Sequence, residues 1–398
     1  MRVAFTLIGG AGWTGGVNYL ENLLSALSTQ PDCKVQAVLF AGTDTDPGLI
    51  ARLSPYLAEP PTLSSVWNNN KRMRLARQIY GFGLQRDYLA EREFMRAHID
   101  VVFQHAAWYG CRFGIPTLAW IADFQHRRLP MMFSKSNYYW RDVGYWALSH
   151  CATRIMVSSQ DAKKDCETFY PNSIGRVDAV PFAVRVAATQ DAAGLQEIRH
   201  QYGLPEKFFF MPNQLWKHKN HLNVIEALNR LKQESEQVVI VASGNPKDGR
   251  HPEHPQHVVD TIKKYGLDEK LIFLGLIPFH HILPLMRLSA AVLNPSFFEG
   301  WSTTVEEAKA VGAPLLLSDL PIHREQTGGQ AAFFDPHKPD HIAAVLLHHW
   351  RILAPGPRPE AEYTASKTHQ QQRMQFAMVF SALAARTLVS NSDKKVGV

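Results

Sequence analysis

The sequence predicts an α/β protein built from two doubly wound, parallel-sheet domains, and three observations carry that expectation. Strand, turn and helix alternate from Arg2 through roughly the first 185 residues; a polar, Ala-rich segment at 186–194 interrupts them; and the alternation starts again at Phe208 and continues to Pro336. At 398 residues the chain is long enough for two separate cores. The boundaries expected are 1–187 for the first domain, 188–364 for the second, and 365–398 for a terminal helix with a polar, frayed end.

Composition narrows the function classes. With 45% hydrophobic and 20% charged residues the chain reads as an ordinary globular protein. No apolar run approaches the ~20 residues that span a bilayer, and the apolar start ends in glycines without a cleavage pattern, which places the protein in the cytoplasm. Cys33, Cys111, Cys151 and Cys166 are scattered without metal or redox spacing, so free, buried thiols are expected. The adjacent pairs His280-His281 and His348-His349 point apart on a helix and make poor metal sites. Residues 1–185 carry 20 Lys and Arg against 15 Asp and Glu, the densest part being Lys71, Arg72, Arg74 and Arg77 beside Ile79, Tyr80 and Phe82. Such interleaving suits peripheral contact with an anionic membrane at its inner face, or simply a solvated basic helix. No DNA- or RNA-binding motif accompanies it, so nucleic acid is not an expected partner.

In the first domain, Arg2–Ile8 reads as a buried strand and 17–27 as a helix. Between them lies Gly9-Gly10-Ala11-Gly12-Trp13-Thr14-Gly15-Gly16. Glycine lacks a Cβ, so backbone here can approach a ligand: Gly12 and Trp13 are candidates for an acceptor, Gly15 and Gly16 for a donor. Gly10, Gly12 and Gly15 also fit a dinucleotide fingerprint, which makes an NAD-dependent oxidoreductase or epimerase the alternative function. Against it, the strand 34–40 ends in Ala41-Gly42 with no acidic residue for a ribose, and the Tyr363/Lys367 pair lies far too late in the chain. Further on, the strand 99–103 ends at His105, and the strand 116–121 ends at Ala122-Asp123 with His126 close behind. Polar groups at the carboxyl ends of parallel strands face a ligand crevice, so His105 and His126 are candidates for acceptor binding and Asp123 for catalysis; Asp123 equally suits a turn cap.

In the second domain, Phe208–Met211 is a strand, and its loop carries Gln214, Lys217 and Lys219 into an amphipathic helix at 222–231. Cations beside a helix start suit a diphosphate. Strands at 238–242 and 271–274 end at Gly244 and near Leu276. The densest stretch is 294–312: an apolar strand stops at Asn294-Pro295, Glu299-Gly300 makes a turn with Trp301, and Ser302, Thr303 and Thr304 offer N-caps for a helix near Val305 that contains Glu307. Helix-start amides favour a phosphate, and carboxylates at Glu299 and Glu307 accept sugar hydroxyls. Two acids near a helix start are also favourable on dipole grounds alone.

That stretch resembles the Glu-x7-Glu motif of retaining glycosyltransferases of the GT-B fold, family 4 type (glycosyl transferases group 1). The resemblance implies two Rossmann-like domains facing across a cleft, the donor in the second, the acceptor in the first, and a last helix crossing back to the first. It implies transfer of a sugar from a nucleotide-diphosphate sugar to a carbohydrate or glycolipid hydroxyl with retention, in cell-surface polysaccharide or lipopolysaccharide synthesis. A GT-B nucleotide-sugar epimerase is the further alternative. Glu299, Lys219 and Asp123 take catalytic positions. Donor-binding positions are Gly15, Gly16, Gln214, Lys217, Gly244, Leu276, Gly300, Trp301, Ser302, Thr303, Thr304 and Glu307. Three departures stand out: Trp301-Ser302-Thr303-Thr304 replaces Phe-Gly-Leu-Pro, Gln214 stands at the family's Arg, and Ala122 at its His; Lys217 is the nearest extra cation. No cofactor beyond the nucleotide sugar is implied, and no Asp-x-Asp is expected to carry a metal, in keeping with metal-independent transfer.

Overall fold

The computed structural model describes residues 1–8, 14–105, 107–186 and 190–396. They form two compact units: residues 1–127, 135–185 and 371–398 in the first, and 128–134 with 186–370 in the second. The short 128–134 segment, assigned by sequence to the first domain, groups with the second.

Among the described residues the first unit holds seven parallel strands: β1 (Arg2–Thr6), β2 (Gln36–Ala41), β3 (Thr62–Leu63), β4 (Val101–Gln104), β5 (Thr117–Trp120), β6 (Arg154–Val157) and β7 (Val177–Ala179). Their order is β3-β2-β1-β4-β5-β6-β7. Val3, Ala4 and Phe5 of β1 are fully buried because β2 and β4 flank that strand and helices cover both faces. The second unit has six strands, β8 (Phe209–Met211), β9 (Ile240–Ala242), β10 (Leu271–Phe273), β11 (Ala291–Asn294), β12 (Leu315–Ser318) and β13 (Ala332–Phe334), in the order β10-β9-β8-β11-β12-β13. Along β8 side chains alternate between two cores: Phe209 and Met211 join the helix 221–233 side, Phe208 and Phe210 the other. A strand buried on both faces reads as a continuous apolar run, which is why Phe208-Phe209-Phe210-Met211 is legible.

Several expectations are corrected. The helix Lys135–Cys151 and the helix His254–Tyr265 had no sequence assignment. The first sheet's edge strands are short: β7 spans three residues and β3 two. The last helix runs from Pro359 through Val396, into the segment expected to fray, and Phe380 packs on Phe5 and Phe103. Its residues to Gln370 group with the second unit and those from Gln371 with the first. Cys111 and Cys151, expected as free thiols, are bonded to each other, because folding brings their Cα atoms to 4.6 Å across forty residues of chain; Cys33 and Cys166 are free.

Phe210 sits at the centre of the second unit with no exposed surface. Phe210→Ala should destabilise that unit by about 3–5 kcal/mol, read as a shift of its denaturant midpoint, because a cavity adds to the lost transfer energy.

Candidate functional site

Strand order reverses in the second sheet between β8 and β11, so the loops leaving these neighbours diverge and open a crevice at their carboxyl ends. The loop after β8 holds a single 3-10 turn, Lys217–Lys219, and Asn220 leaves it in the left-handed region at φ 61°. Its side-chain amide donates to the Pro295 carbonyl at 3.0 Å and to the Pro336 carbonyl at 2.8 Å. Phe297 N–H donates to the His218 carbonyl at 2.9 Å. Three loops are thereby pinned together, and Lys219 Nζ donates to Glu299 Oε1 at 2.7 Å. Burial alone would raise the Glu299 carboxyl, but the Lys219 charge and hydrogen bonds from Lys219 and Ser296 hold it below the ordinary carboxylate range.

Asn294, fully buried, orders the rest of the stretch. Its amide donates to Ser302 Oγ at 2.8 Å, and its oxygen accepts from Ser296 Oγ at 2.8 Å. Ser302 is the N-cap of the helix Thr303–Ala310, accepting from Val305 N at 3.4 Å, so the helix starts two residues earlier than the sequence suggests. Gln326 clamps this cap from the helix Pro321–Thr327: Ser302 N–H donates to its oxygen at 3.1 Å, and its amide donates to the Ser302 carbonyl and to Glu306 Oε1, both at 3.0 Å.

The two adjacent acids on that helix have different environments. Glu306 is engaged by Lys309 and Gln326. Glu307 is 7% exposed and has no partner among the described residues; burial pushes its carboxyl up to about 8. It shares a helix face with Thr303 and Thr304, four and three residues before it.

Gln214 lies in the β8 loop, and Gly244 in the loop after β9 at φ +155°, where a Cβ would stand 2.5 Å from the Asn213 carbonyl oxygen. Gly244 N–H donates to the Gly275 carbonyl at 2.9 Å, which brings the turn bearing Leu276 alongside. Lys217 is exposed, and its ammonium has no partner among the described residues, while its N–H donates to Asp248 Oδ2 at 3.1 Å. Asp248 also accepts from the N–H groups of Arg250 and His251, and the Arg250 guanidinium lies over the Trp216 ring at 5.7 Å. Gly300 and Trp301 are half-buried in the turn between Glu299 and Ser302. Gly15 and Gly16 open the first unit's helix Thr14–Ser28, whereas Gly12 and Trp13 lie outside the described residues.

Sequence reasoning missed His323. It is fully buried, donates from Nδ1 to the Ser318 carbonyl at 2.8 Å, and leaves Nε2 without a partner among the described residues. Burial keeps the ring neutral although Glu299 opposes this, so Nε2 is an acceptor. The spacing of His323 and Gln326, three apart on one helix face, was the available signal. Asn220, Asp248 and Arg250 left no comparable pattern.

In the first unit the candidates gather around Arg141, which stands on the unassigned 135–151 helix. Arg141 Nη2 donates to Asp123 Oδ1 at 3.0 Å, and the same oxygen accepts from Gln125 N at 3.0 Å, so Asp123 is both a cap and an ion-pair partner. His105 packs on Trp120 at 5.1 Å. Burial first and the Arg141 charge second lower His105 and His126 to about 4, leaving both neutral at neutral pH. His126 is corrected as an acceptor contact: its side chain has no exposed surface, and Nε2 lies 3.3 Å from the Tyr170 hydroxyl and 3.4 Å from Asp142. The chain does contain one Asp-x-Asp, Asp44-Thr45-Asp46, but both acids cap loops, Asp46 accepting from Gly48 N and Asp44 from Asn69 N at 2.9 Å each. No group of three or more His, Cys, Asp or Glu among the described residues is placed to hold a metal ion.

Residues 196–348, which contain every element of the crevice just described, match the family described as "Glycosyl transferases group 1". This segment belongs to that family. A curated relative, the serotype-specific mannosyltransferase WbdA of Escherichia coli, is 25% identical over 225 residues, 56% of this chain; the chain spans about a quarter (26%) of that protein's length. Among solved structures, HepE of Anabaena, in complex with UDP and glucose, superposes with a TM-score of 0.65 at 16% identity, covering 98% of this chain and 100% of that one. WaaG, a glycosyltransferase involved in lipopolysaccharide biosynthesis, superposes with a TM-score of 0.61 at 12% identity, covering 96% and 99%. These likenesses establish the fold as GT-B, two Rossmann-like parallel-sheet units. In this group 1 segment the Glu299 and Lys219 loops are joined by contact, and Asn220 is the residue that joins them.

Asn220→Ala removes two donated hydrogen bonds and puts a Cβ-bearing residue without a compensating side chain at positive φ, so it should cost about 2–4 kcal/mol. Asn220→Gly recovers the backbone term only. Denaturant melts of the two variants separate these contributions, and the Gly variant should fall between Ala and wild type.

Proposed function

We propose that this chain is a glycosyltransferase that moves a sugar from a nucleotide-diphosphate sugar to a hydroxyl of a carbohydrate or glycolipid acceptor with retention of anomeric configuration, without a metal, in surface polysaccharide or lipopolysaccharide synthesis. The observation that carries this is the partly buried Lys219–Glu299 pair at 2.7 Å, set beside a capped helix start and Glu307, which has no partner among the described residues. The names of the curated relatives make a mannosyl nucleotide the first donor to test, with UDP-glucose second.

In this reading Lys219, Lys217 and the amides at Thr303 and Thr304 neutralise the diphosphate, Glu299 accepts hydroxyls of the transferred sugar, and Glu307 accepts those of the ribose. Gln214, Gly244, the Leu276 turn, Gly300 and Trp301 line the nucleotide. The bond from the anomeric carbon to the phosphate oxygen breaks and the bond to the acceptor oxygen forms on the same face, the acceptor proton passing to the departing phosphate. His105 and Asp123 stand on the acceptor side, with Gly15 and Gly16 of the first unit reserved for the donor. The oxidoreductase alternative gains nothing from the described residues.

Incubation with GDP-mannose, UDP-glucose and dTDP-glucose should yield a sugar-nucleotide that shifts the melting temperature and transfers its sugar; a panel without any shift overturns the reading. Lys219→Ala should weaken nucleotide-diphosphate binding by about 1.5–3 kcal/mol in calorimetry, the value of a charged hydrogen bond.

The pH dependence follows from Glu307. Free, its carboxyl titrates near 8; ribose hydroxyls donating to it favour the anion, so binding releases a proton. Affinity should therefore rise with pH up to about 8 and level off above it, by at most about tenfold per unit, while Glu307→Gln should bind with a flat profile.

A further inference from the structure

A cation that the transfer chemistry leaves unused lies one loop away from the Lys219–Glu299 pair. Arg250 follows β9, in a segment shaped by Asp248. That buried carboxylate accepts from Lys217 N–H at 3.1 Å, Arg250 N–H at 2.9 Å and His251 N–H at 3.2 Å, so it ties the loop after β8 to the loop after β9 through backbone donors.

The surroundings of the half-buried Arg250 side chain then place its head. The guanidinium lies over the Phe133 ring at 4.9 Å and the Trp216 ring at 5.7 Å. His251 Nε2, next in the chain, is 3.3 Å from the Met132 carbonyl, which fastens this loop to the 128–134 segment of the same unit. Arg250 Nη2 is 3.4 Å from His218 Nδ1. Aromatic rings hold a cation without bringing an opposite charge. His218 is kept neutral, by burial first and then by the Lys219 and Arg250 charges, so it accepts a hydrogen bond without cancelling the guanidinium. His218 directly precedes Lys219, and its carbonyl accepts from Phe297 N–H, two residues before Glu299. The Arg250 head is thereby set against the loop that carries Lys219, at the edge of the crevice.

Charge gives that placement its consequence. The loops at 212–220, 243–253 and 295–302 carry four Lys and Arg against three Asp and Glu. Without Arg250 they would meet the dianionic diphosphate of a sugar-nucleotide with no net charge of their own. A guanidinium also offers a planar fork of donors that matches phosphate oxygens, which an ammonium does not.

On the transferase reading above, we propose that Arg250 is a diphosphate-binding residue, its fork reaching the phosphate oxygens from the β9 loop while Lys219 reaches them from the β8 loop.

Calorimetry of the full chain with GDP, UDP and dTDP tests this. Arg250→Met keeps an apolar stem against Phe133 and Trp216 and removes the charge. It should bind the preferred nucleoside diphosphate at least about tenfold more weakly, the loss of one charged hydrogen bond, while melting at the wild-type temperature. Arg250→Lys keeps the charge and should stay within about threefold of wild type. Affinity should fall less steeply with salt in the methionine variant than in wild type, because one ionic contact is gone. A methionine variant within about twofold of wild type, a lysine variant as weak as the methionine one, or equal salt slopes overturns the role of Arg250 and leaves the transferase reading standing. Wild type binding none of the three nucleotides overturns that reading and the role of Arg250 with it.

Discussion

The partly buried ion pair between Lys219 and Glu299 is the interaction on which the candidate site depends. Each charge favours the ionised state of the other, because the two lie within hydrogen-bond distance. The pair also holds the site ready. Nothing in the primary sequence makes residues eighty positions apart meet; the adjacency of β8 and β11 does, together with the left-handed Asn220 that turns the chain after Lys219 and ties down both Pro295 and Pro336. An arriving anion would draw on the Lys219 ammonium, whose remaining protons are free to donate, without first having to order either loop.

Three acids within nine residues show how burial and partners divide the work of one stretch. Glu299 is kept ionised by a lysine. Glu306 has a lysine and an amide and serves the helix cap through Gln326. Glu307 has neither, and its carboxyl is raised to about 8 by burial alone. A carboxyl left in that state is poor for stability and well suited to a ligand that brings its own hydrogen-bond donors. Choosing Glu307 over its neighbour rested on the eight-residue spacing from Glu299; the structure adds a physical ground for the same choice.

Legibility followed burial. Strands β1, β8 and β11, each apolar on both faces, stand out as runs, and Ser302 is recognisable as a cap from residue type and position. The helix 135–151 was invisible because its outward face is aromatic and its inward face carries Arg141 and Tyr145, so no 3.6-residue apolar rhythm survives. With that helix went Arg141, the charge that pairs with Asp123 and adds to burial in keeping His105 and His126 neutral. Cys111 and Cys151 met through the same unassigned helix, which is why counting cysteines in the sequence suggested free thiols. Asn220 was unreadable for a different reason: its role comes from loop-to-loop contacts that no local pattern encodes.

The electrostatics of the crevice bear on the departure at Gln214. Lys219 and Glu299 sum to zero, so a dianionic ligand would need positive charge from elsewhere. Asp248, itself buried, accepts from the backbone N–H groups of both Lys217 and Arg250 and so fixes the loops that carry these cations beside one another. Lys217 is left without a side-chain partner among the described residues, and Arg250 rests on Trp216 one residue away, with His218 3.4 Å from its guanidinium. His218 cannot compete for that charge, since burial and the surrounding Lys219 and Arg250 keep it neutral. The amide at Gln214 therefore sits in a loop whose positive charge is supplied by its neighbours, held in place by one carboxylate rather than by an arginine at that position.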